Sequence, residues 1–220
     1  MEAGGLSALA ERFGGLYTGA VTDVLDRRGL LRQTLPTALA PLEPGLRLAG
    51  PAFTVEGRPR HGGDYDESIR RILGMLGSVP ADHVVVYQTN DAENAHLGEL
   101  SVTSLAARGA AGAVIDGGCR DVEFILREGF PVFARHTTPQ DCVPRWELVA
   151  AGNPITIGDV RIEPGDYVVA DRDGIVVVPA HLRDDVLTEA EAKVETENKI
   201  RNAVRAGELP LAAYERYGTF

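Results

Sequence analysis

Apolar residues recur along this chain in two rhythms, and the rhythm changes more than once. Leu6 to Phe13 and Ala20 to Arg28 carry helical spacing, the second with Val21, Val24 and Leu25 on one face and Gly29 as its stop. The stretch "TLPTALAPLEPGLRLAGP" then holds too many prolines for a helix or a central strand. "AFTVEGR" alternates like a strand, and Asp66 to Leu76 predicts a helix with Ile69, Ile72, Leu73 and Leu76 on its inner face. "DHVVVYQ" is a compact β-branched run, the pattern of a strand buried on both faces.

From Gly98 the alternation becomes regular. "GELSVTSLAARG" reads as a helix, "AGAVID" as a strand, "DVEFILREG" as a helix and "FPVFAR" as a strand. Such alternation predicts a parallel sheet with right-handed crossovers. "ITIGDVRI", "DYVVADRD" and "GIVVVP" are instead short strands between turn residues, which predicts antiparallel structure. Residues from Ala180 to Ala206 form one long charged helix ended by Gly207, with a short tail behind it. No internal repeat interrupts the pattern. The expectation is one α/β domain over 1–220, with N-terminal helices in 1–30 and a helical C-terminal arm over 180–220.

Composition narrows the function. The 220 residues are 44% hydrophobic and 25% charged, enough for one sizeable core. A formal charge of −10 repels nucleic acid and anionic membrane over most of the surface. The N-terminus lacks the basic start and apolar core of a signal peptide, and no run approaches the roughly 18 apolar residues of a membrane span. Cys119 and Cys142 are too few for a disulfide framework, so free thiols in the cytoplasm are expected. The only lysines, Lys193 and Lys199, lie in the polar C-terminal segment. Imine chemistry needs a desolvated lysine, so it is disfavoured.

The candidate chemistry sits at two strand ends. Gly98-Glu99-Leu100-Ser101 opens a helix, whose first N–H groups offer themselves to an anion. Before it lies the polar "YQTNDAENAHLGEL", placed where open α/β sheets gather ligands. Arg120 and Asp121 leave the strand "AVID" through a Gly117-Gly118 turn. An arginine fork matches a carboxylate, and an aspartate at a helix start can ligate a hard divalent cation. The plainer alternative is that Asp121 caps the helix it begins and Arg120 is solvated. His96 and Glu99, at i and i+3, are a further candidate metal pair. Cys119 has no neighbouring histidine in sequence to activate it and reads as packing. Asp23, Asp26 and the "DRDG" from Asp171 to Gly174 read as helix-face and turn residues.

Together, "AVTDVLDRRG", "HLGELSVTSLAARGAAGAVIDGGCRDVEFILREGFPVFARHTTPQD" and "ADRDGIVVVP" resemble the RraA-like proteins over most of the chain. That family includes class II 4-hydroxy-4-methyl-2-oxoglutarate aldolases, oxaloacetate decarboxylases and a regulator of ribonuclease E. The resemblance implies a β/β/α swivelling-type fold with a mixed sheet, assembled as a homotrimer or a hexamer of trimers. It also implies a divalent cation, Mg²⁺ or Mn²⁺. By the same carry-over, Gly98, Glu99, Leu100 and Ser101 contact the substrate and Arg120 binds its oxygens, while Asp121 anchors the metal. Glu99 stands where the family often has an aspartate. Glu197 of a neighbouring subunit is the nearest match to a glutamate that completes the site.

The implied activity is cleavage of a small 2-oxo acid to pyruvate through a metal-stabilised enolate, by retro-aldol reaction or decarboxylation, with Arg120, Asp121 and Glu99 as catalytic residues. This mechanism needs no lysine. A non-catalytic regulator that inhibits a ribonuclease by protein–protein contact is the competing class. A methyltransferase is a third option, opposed by the lack of a glycine-rich nucleotide loop.

Overall fold

The computed structural model describes residues 3–220. Met1 and Glu2, the start of the stretch read against a signal peptide, lie outside the described residues. Helices α1 (Ala3–Gly14) and α2 (Thr18–Arg27) open the chain. Val21, Val24 and Leu25 are buried on the expected face of α2, and Gly29 follows with φ 79°. Next come β1 (Ala40–Pro41), β2 (Leu48–Pro59), α3 (Tyr65–Ser78), β3 (Val84–Gln88) and β4 (Ala95–Leu97). The regular alternation holds α4 (Glu99–Ala107), β5 (Gly112–Cys119), α5 (Val122–Glu128) and β6 (Val132–Thr137). Short strands β7 (Trp146–Ala151), β8 (Ile155–Ile157), β9 (Val160–Ile162), β10 (Tyr167–Asp171) and β11 (Gly174–Val178) precede α6 (Arg183–Arg205) and α7 (Pro210–Tyr217).

The strands form a nearly closed mixed sheet in the order β1-β6-β5-β3-β2-β10-β11, with β4 beside β5 and β7 beside β2. Strands β2, β3, β5 and β6 pair in parallel. Strands β2, β10 and β11 pair antiparallel, and β8 with β9 forms a separate hairpin. Both halves of the topology agree with the hydrophobic pattern. β2 is longer than its alternation suggested and contains Pro51. That proline sits where β2 changes partner from β10 to β3, a place that tolerates a missing N–H.

Strand alternation divides the core. Val84 and Val86 of β3 point into the apolar interior enclosed by the sheet, with Val114, Phe133, Val168 and Val177. Val85 and Tyr87 point outward onto α3, α4 and α5 through Leu76, Leu105 and Ile125. β10 repeats this, its Val168 facing inward and its Tyr167 and Val169 facing α1, α2 and α6. Full burial of such a valine stabilises by roughly 1.5–3 kcal/mol, which explains the unbroken apolar runs.

Two expectations need correction, and one element is more detailed than expected. Leu73 is not on the inner face of α3 but 57% exposed; the buried stripe is Ser68, Met75 and Leu76, and Leu73 lies about a quarter turn away from Ile72. Gly117 and Gly118 do not form a turn, because β5 runs through them to Cys119, with a register shift between Ile115 and Gly118. The C-terminal tail holds a helix, α7, with Pro210 at its start and Gly218 in the left-handed region at its end.

Candidate active site

Two strand–helix junctions lie side by side. β4 runs into α4 through Gly98, and β5 runs into α5 through Arg120 and Asp121. The strands pair in parallel, and the Arg120 N–H donates to Leu97 O at 2.9 Å, so the ladder continues up to the helices. The two glycines of β5 make this approach feasible. A Cβ on Gly118 would stand 2.7 Å from Asn94 O, and one on Gly117 2.7 Å from Thr89 Oγ1.

Asp121 has a left-handed backbone, φ 59° and ψ 35°, and its side chain does not cap α5. Its carbonyl starts that helix instead, accepting from Phe124 and Ile125 N–H. The carboxylate turns to the neighbouring helix, where Oδ2 accepts from the Glu99 N–H at 3.0 Å. One residue therefore starts α5 with its backbone and caps α4 with its side chain. A non-glycine residue in this region is strained, and aspartate tolerates it better than most. Gly98 makes room: a Cβ there would lie 2.6 Å from Asp121 Oδ2. The amides of Leu100 and Ser101, in the same first turn, have no acceptor within the helix.

Arg120 is not a free surface charge. Its Nη2 lies 3.2 Å from Asp141 Oδ2 and its Nε 3.7 Å from Asp121 Oδ2. A cavity of about 310 Å³ opens beside it, lined by Arg120, Asp121, Val122, Thr137, Thr138 and Pro139. A recess of about 70 Å³, also lined by Arg120, includes Gly98, Ser101, His96, Asp141 and Cys142. The structure thus brings Gly98, Ser101, Arg120 and Asp121 together. Glu99 joins them through its amide, while its side chain lines a separate hollow with Phe124 and Arg127 between α4 and α5. Leu100 is 81% exposed. Glu197 is held by Lys193 on α6 at 2.8 Å, away from this junction within the chain.

The remaining candidates resolve into packing. His96 does not pair with Glu99: it is buried, its Nε2 3.2 Å from Asp91 Oδ2 and its ring edge-on to Trp146 at 5.0 Å. Burial drives its pKa down to about 4, so the ring is neutral. Burial also pushes the Cys119 thiol up to about 11, consistent with packing. Asp171 caps α2 by accepting from the Thr18 N–H at 2.9 Å and the Thr18 hydroxyl at 2.8 Å. Sequence reasoning gave Asp141 no role although it ends the family-like stretch "HTTPQD", since no periodicity singles it out; only the fold shows its partner.

Among the described residues no group of three or more His, Cys, Asp or Glu side chains is placed to hold a metal. The donor set nevertheless fits a hard cation that keeps most of its water. Asp121 Oδ2 is engaged by the Glu99 amide, which leaves Oδ1 for the cavity, and Mg²⁺ is commonly held by one or two carboxylates plus water.

A mixed sheet with an arginine–aspartate pair set against a second helix start defines a class that known proteins share. The RraA-like family profile, described as Aldolase/RraA, matches residues 18–177, and the chain belongs to that family. A Halalkalibacterium halodurans protein, provisionally named 4-hydroxy-4-methyl-2-oxoglutarate aldolase, is 30% identical over 206 residues, which span 92% of this chain and 91% of that one. An uncharacterized protein from Pseudomonas syringae superposes with a TM-score of 0.82 at 30% identity, covering 94% of this chain and 96% of its own. Streptomyces coelicolor RraAS2, described as an unusual member of the RNase ES inhibitor RraA family, superposes at 0.78 with 28% identity, covering 88% and 96%. No helix among the described residues is long and apolar enough to cross a membrane.

Proposed function

We propose that the protein is a divalent-metal-dependent lyase that cleaves a small 2-oxo acid to pyruvate. 4-Hydroxy-4-methyl-2-oxoglutarate and oxaloacetate are the substrates to try first. The observation that carries the reading is the convergence of Arg120 and Asp121 on the amide end of α4, with both side chains also lining an open cavity. The similarity to a relative named as an aldolase over nearly its whole length supports it.

The substrate's 1-carboxylate suits the guanidinium of Arg120 and the free amides of Leu100 and Ser101. When the bond β to the keto group breaks, its electron pair moves into the pyruvate half, which becomes an enolate and then takes up a proton. The other half leaves as a carbonyl compound after its hydroxyl gives up a proton, or as CO2 from a carboxylate. Arg120 and the helix amides stabilise that developing charge from fixed positions. Asp121 would hold the cation, and a bound divalent cation supplies Lewis-acid polarisation of the keto oxygen. Glu99 is the carboxylate proposed for proton transfer, a role for which its side chain must swing out of the hollow between α4 and α5, and Glu197 of a neighbouring copy is proposed to close the site in a homotrimer. Both lysines are ion-paired on α6, Lys193 with Asp23 and Glu197 and Lys199 with Glu195, so neither offers an imine route.

The test is pyruvate release from both substrates with Mg²⁺, with EDTA, and with the Asp121→Ala and Arg120→Ala variants. We expect metal-dependent turnover that falls by about 10²-fold or more in each variant. Turnover no faster than that of free Mg²⁺ on either substrate would sink the proposal. The likeness to RraAS2 favours one other reading, inhibition of a ribonuclease through surface contact, which co-purification with such an enzyme would reveal.

A further inference from the structure

The segment after β6 crosses the end of β5 and runs on parallel to β4. Thr138 N–H donates to Cys119 O at 3.0 Å, Ala95 N–H to Gln140 O at 2.8 Å and Cys142 N–H to Ala95 O at 3.1 Å. Asp141 and Ala95 pair as a parallel bridge. β4 is thus tied on one edge to β5, which ends at Arg120, and on the other to Asp141. The two side chains meet across it, Arg120 Nη2 at 3.2 Å from Asp141 Oδ2. Asp141 is fixed in turn: its Oδ1 accepts from the Val143 N–H at 3.2 Å and its carbonyl from Arg145 Nη1 at 3.1 Å. Beneath the pair lies Gly98, where a Cβ would come 3.1 Å from Arg120 Cγ and 3.2 Å from its Nε.

We propose that Asp141 is a positioning residue, which holds the Arg120 guanidinium over Gly98 so that its remaining N–H groups face the carboxylate of the 2-oxo acid. The inference rests on the lyase reading above. Both side chains are about one-third exposed, 36% and 34%, so solvent screens the ion pair and its contribution to folding is small. Its effect is on geometry. An untethered arginine has many rotamers, and a tethered fork loses less freedom when a carboxylate binds. Asp141 touches no substrate in this scheme and acts only through Arg120.

The test compares Asp141→Ala and Asp141→Asn with the wild type in three readouts: kinetics on the working substrate, pyruvate binding by calorimetry, and melting temperature. For Asp141→Ala we expect KM and the pyruvate Kd to rise about tenfold and kcat to fall with them, since Arg120 also stabilises the developing enolate. Asn has a single carbonyl oxygen; turned to Arg120 it keeps that contact and gives up the Val143 amide, so it should restore both constants to within about threefold while its melting temperature falls. Unchanged KM and Kd in Asp141→Ala would overturn the proposal. So would parallel losses in both variants with lowered melting temperatures, which would mark a purely structural role. A wild type that neither releases nor binds pyruvate would bring down the lyase reading itself, and the positioning role with it.

Discussion

A single residue, Asp121, joins the starts of α4 and α5, its carboxylate on one and its carbonyl on the other. Its orientation is set by folding, so the ordering cost of about 0.5–1.5 kcal/mol for such a side chain is met before any ligand arrives. Asp121→Ala should lower stability by about 1 kcal/mol through the lost cap of α4, read from urea denaturation, while Asp121→Asn should stay close to wild type. Gly98→Ala should cost more activity than stability, because its Cβ meets the Asp121 carboxylate rather than the core. His96 supplies a pH test. Its folded pKa of about 4 lies below the ordinary 6.5 because the ring is buried. The fold thus refuses a proton that the unfolded chain accepts. Stability is full above about pH 6.5 and is lost as pH falls toward 4, by about 3 kcal/mol in all. Urea midpoints followed by the fluorescence of Trp146, the only tryptophan, should drop between pH 7 and pH 5, and His96→Gln should flatten that slope. Residue types at this scale were legible in sequence, as for Arg120 and Asp121. Partners were not: nothing in the one-dimensional order shows that Asp121 caps the helix 22 residues earlier or that Asp141 meets Arg120.

Elements with a strong rhythm were readable. The β3 run, the alternation from α4 to β6 and the long α6 all follow from apolar spacing and its stops. Failures fall where a tertiary partner overrides local signals. β4 is three residues long inside a polar stretch and exists because β5 on one side and the Gln140–Cys142 segment on the other supply its hydrogen bonds. The Gly117-Gly118 pair looked like a turn because glycine usually marks one; here it lets β5 pass between Thr89, Asn94 and His136. Gly118→Ala should therefore be markedly destabilising, by about 2 kcal/mol or more, since backbone Asn94 O cannot move aside, and thermal melting would show it. A variant that melts with the wild type would mean that β5 can shift.

Across the whole molecule, α6 is held mainly by its apolar stripe. Leu187→Ala should cost about 2–5 kcal/mol, whereas Arg28→Ala, which breaks an exposed ion pair with Glu189, should scarcely move the melting temperature. Overall class was readable because a parallel and an antiparallel rhythm both appear in the chain. Closure of the sheet was not, because it depends on one strand serving several partners. Assembly is a proposal at this scale: light scattering should give three times the 23.5 kDa chain mass if a trimer forms. β2 also carries a mechanical consequence. It pairs with β10 through its first residues, with β3 through its middle and with β7 through its end. Neither half of the sheet can peel away without tearing the strand they share. Amide exchange in β3 and in β10 should thus be released together, in one cooperative opening, rather than in two steps.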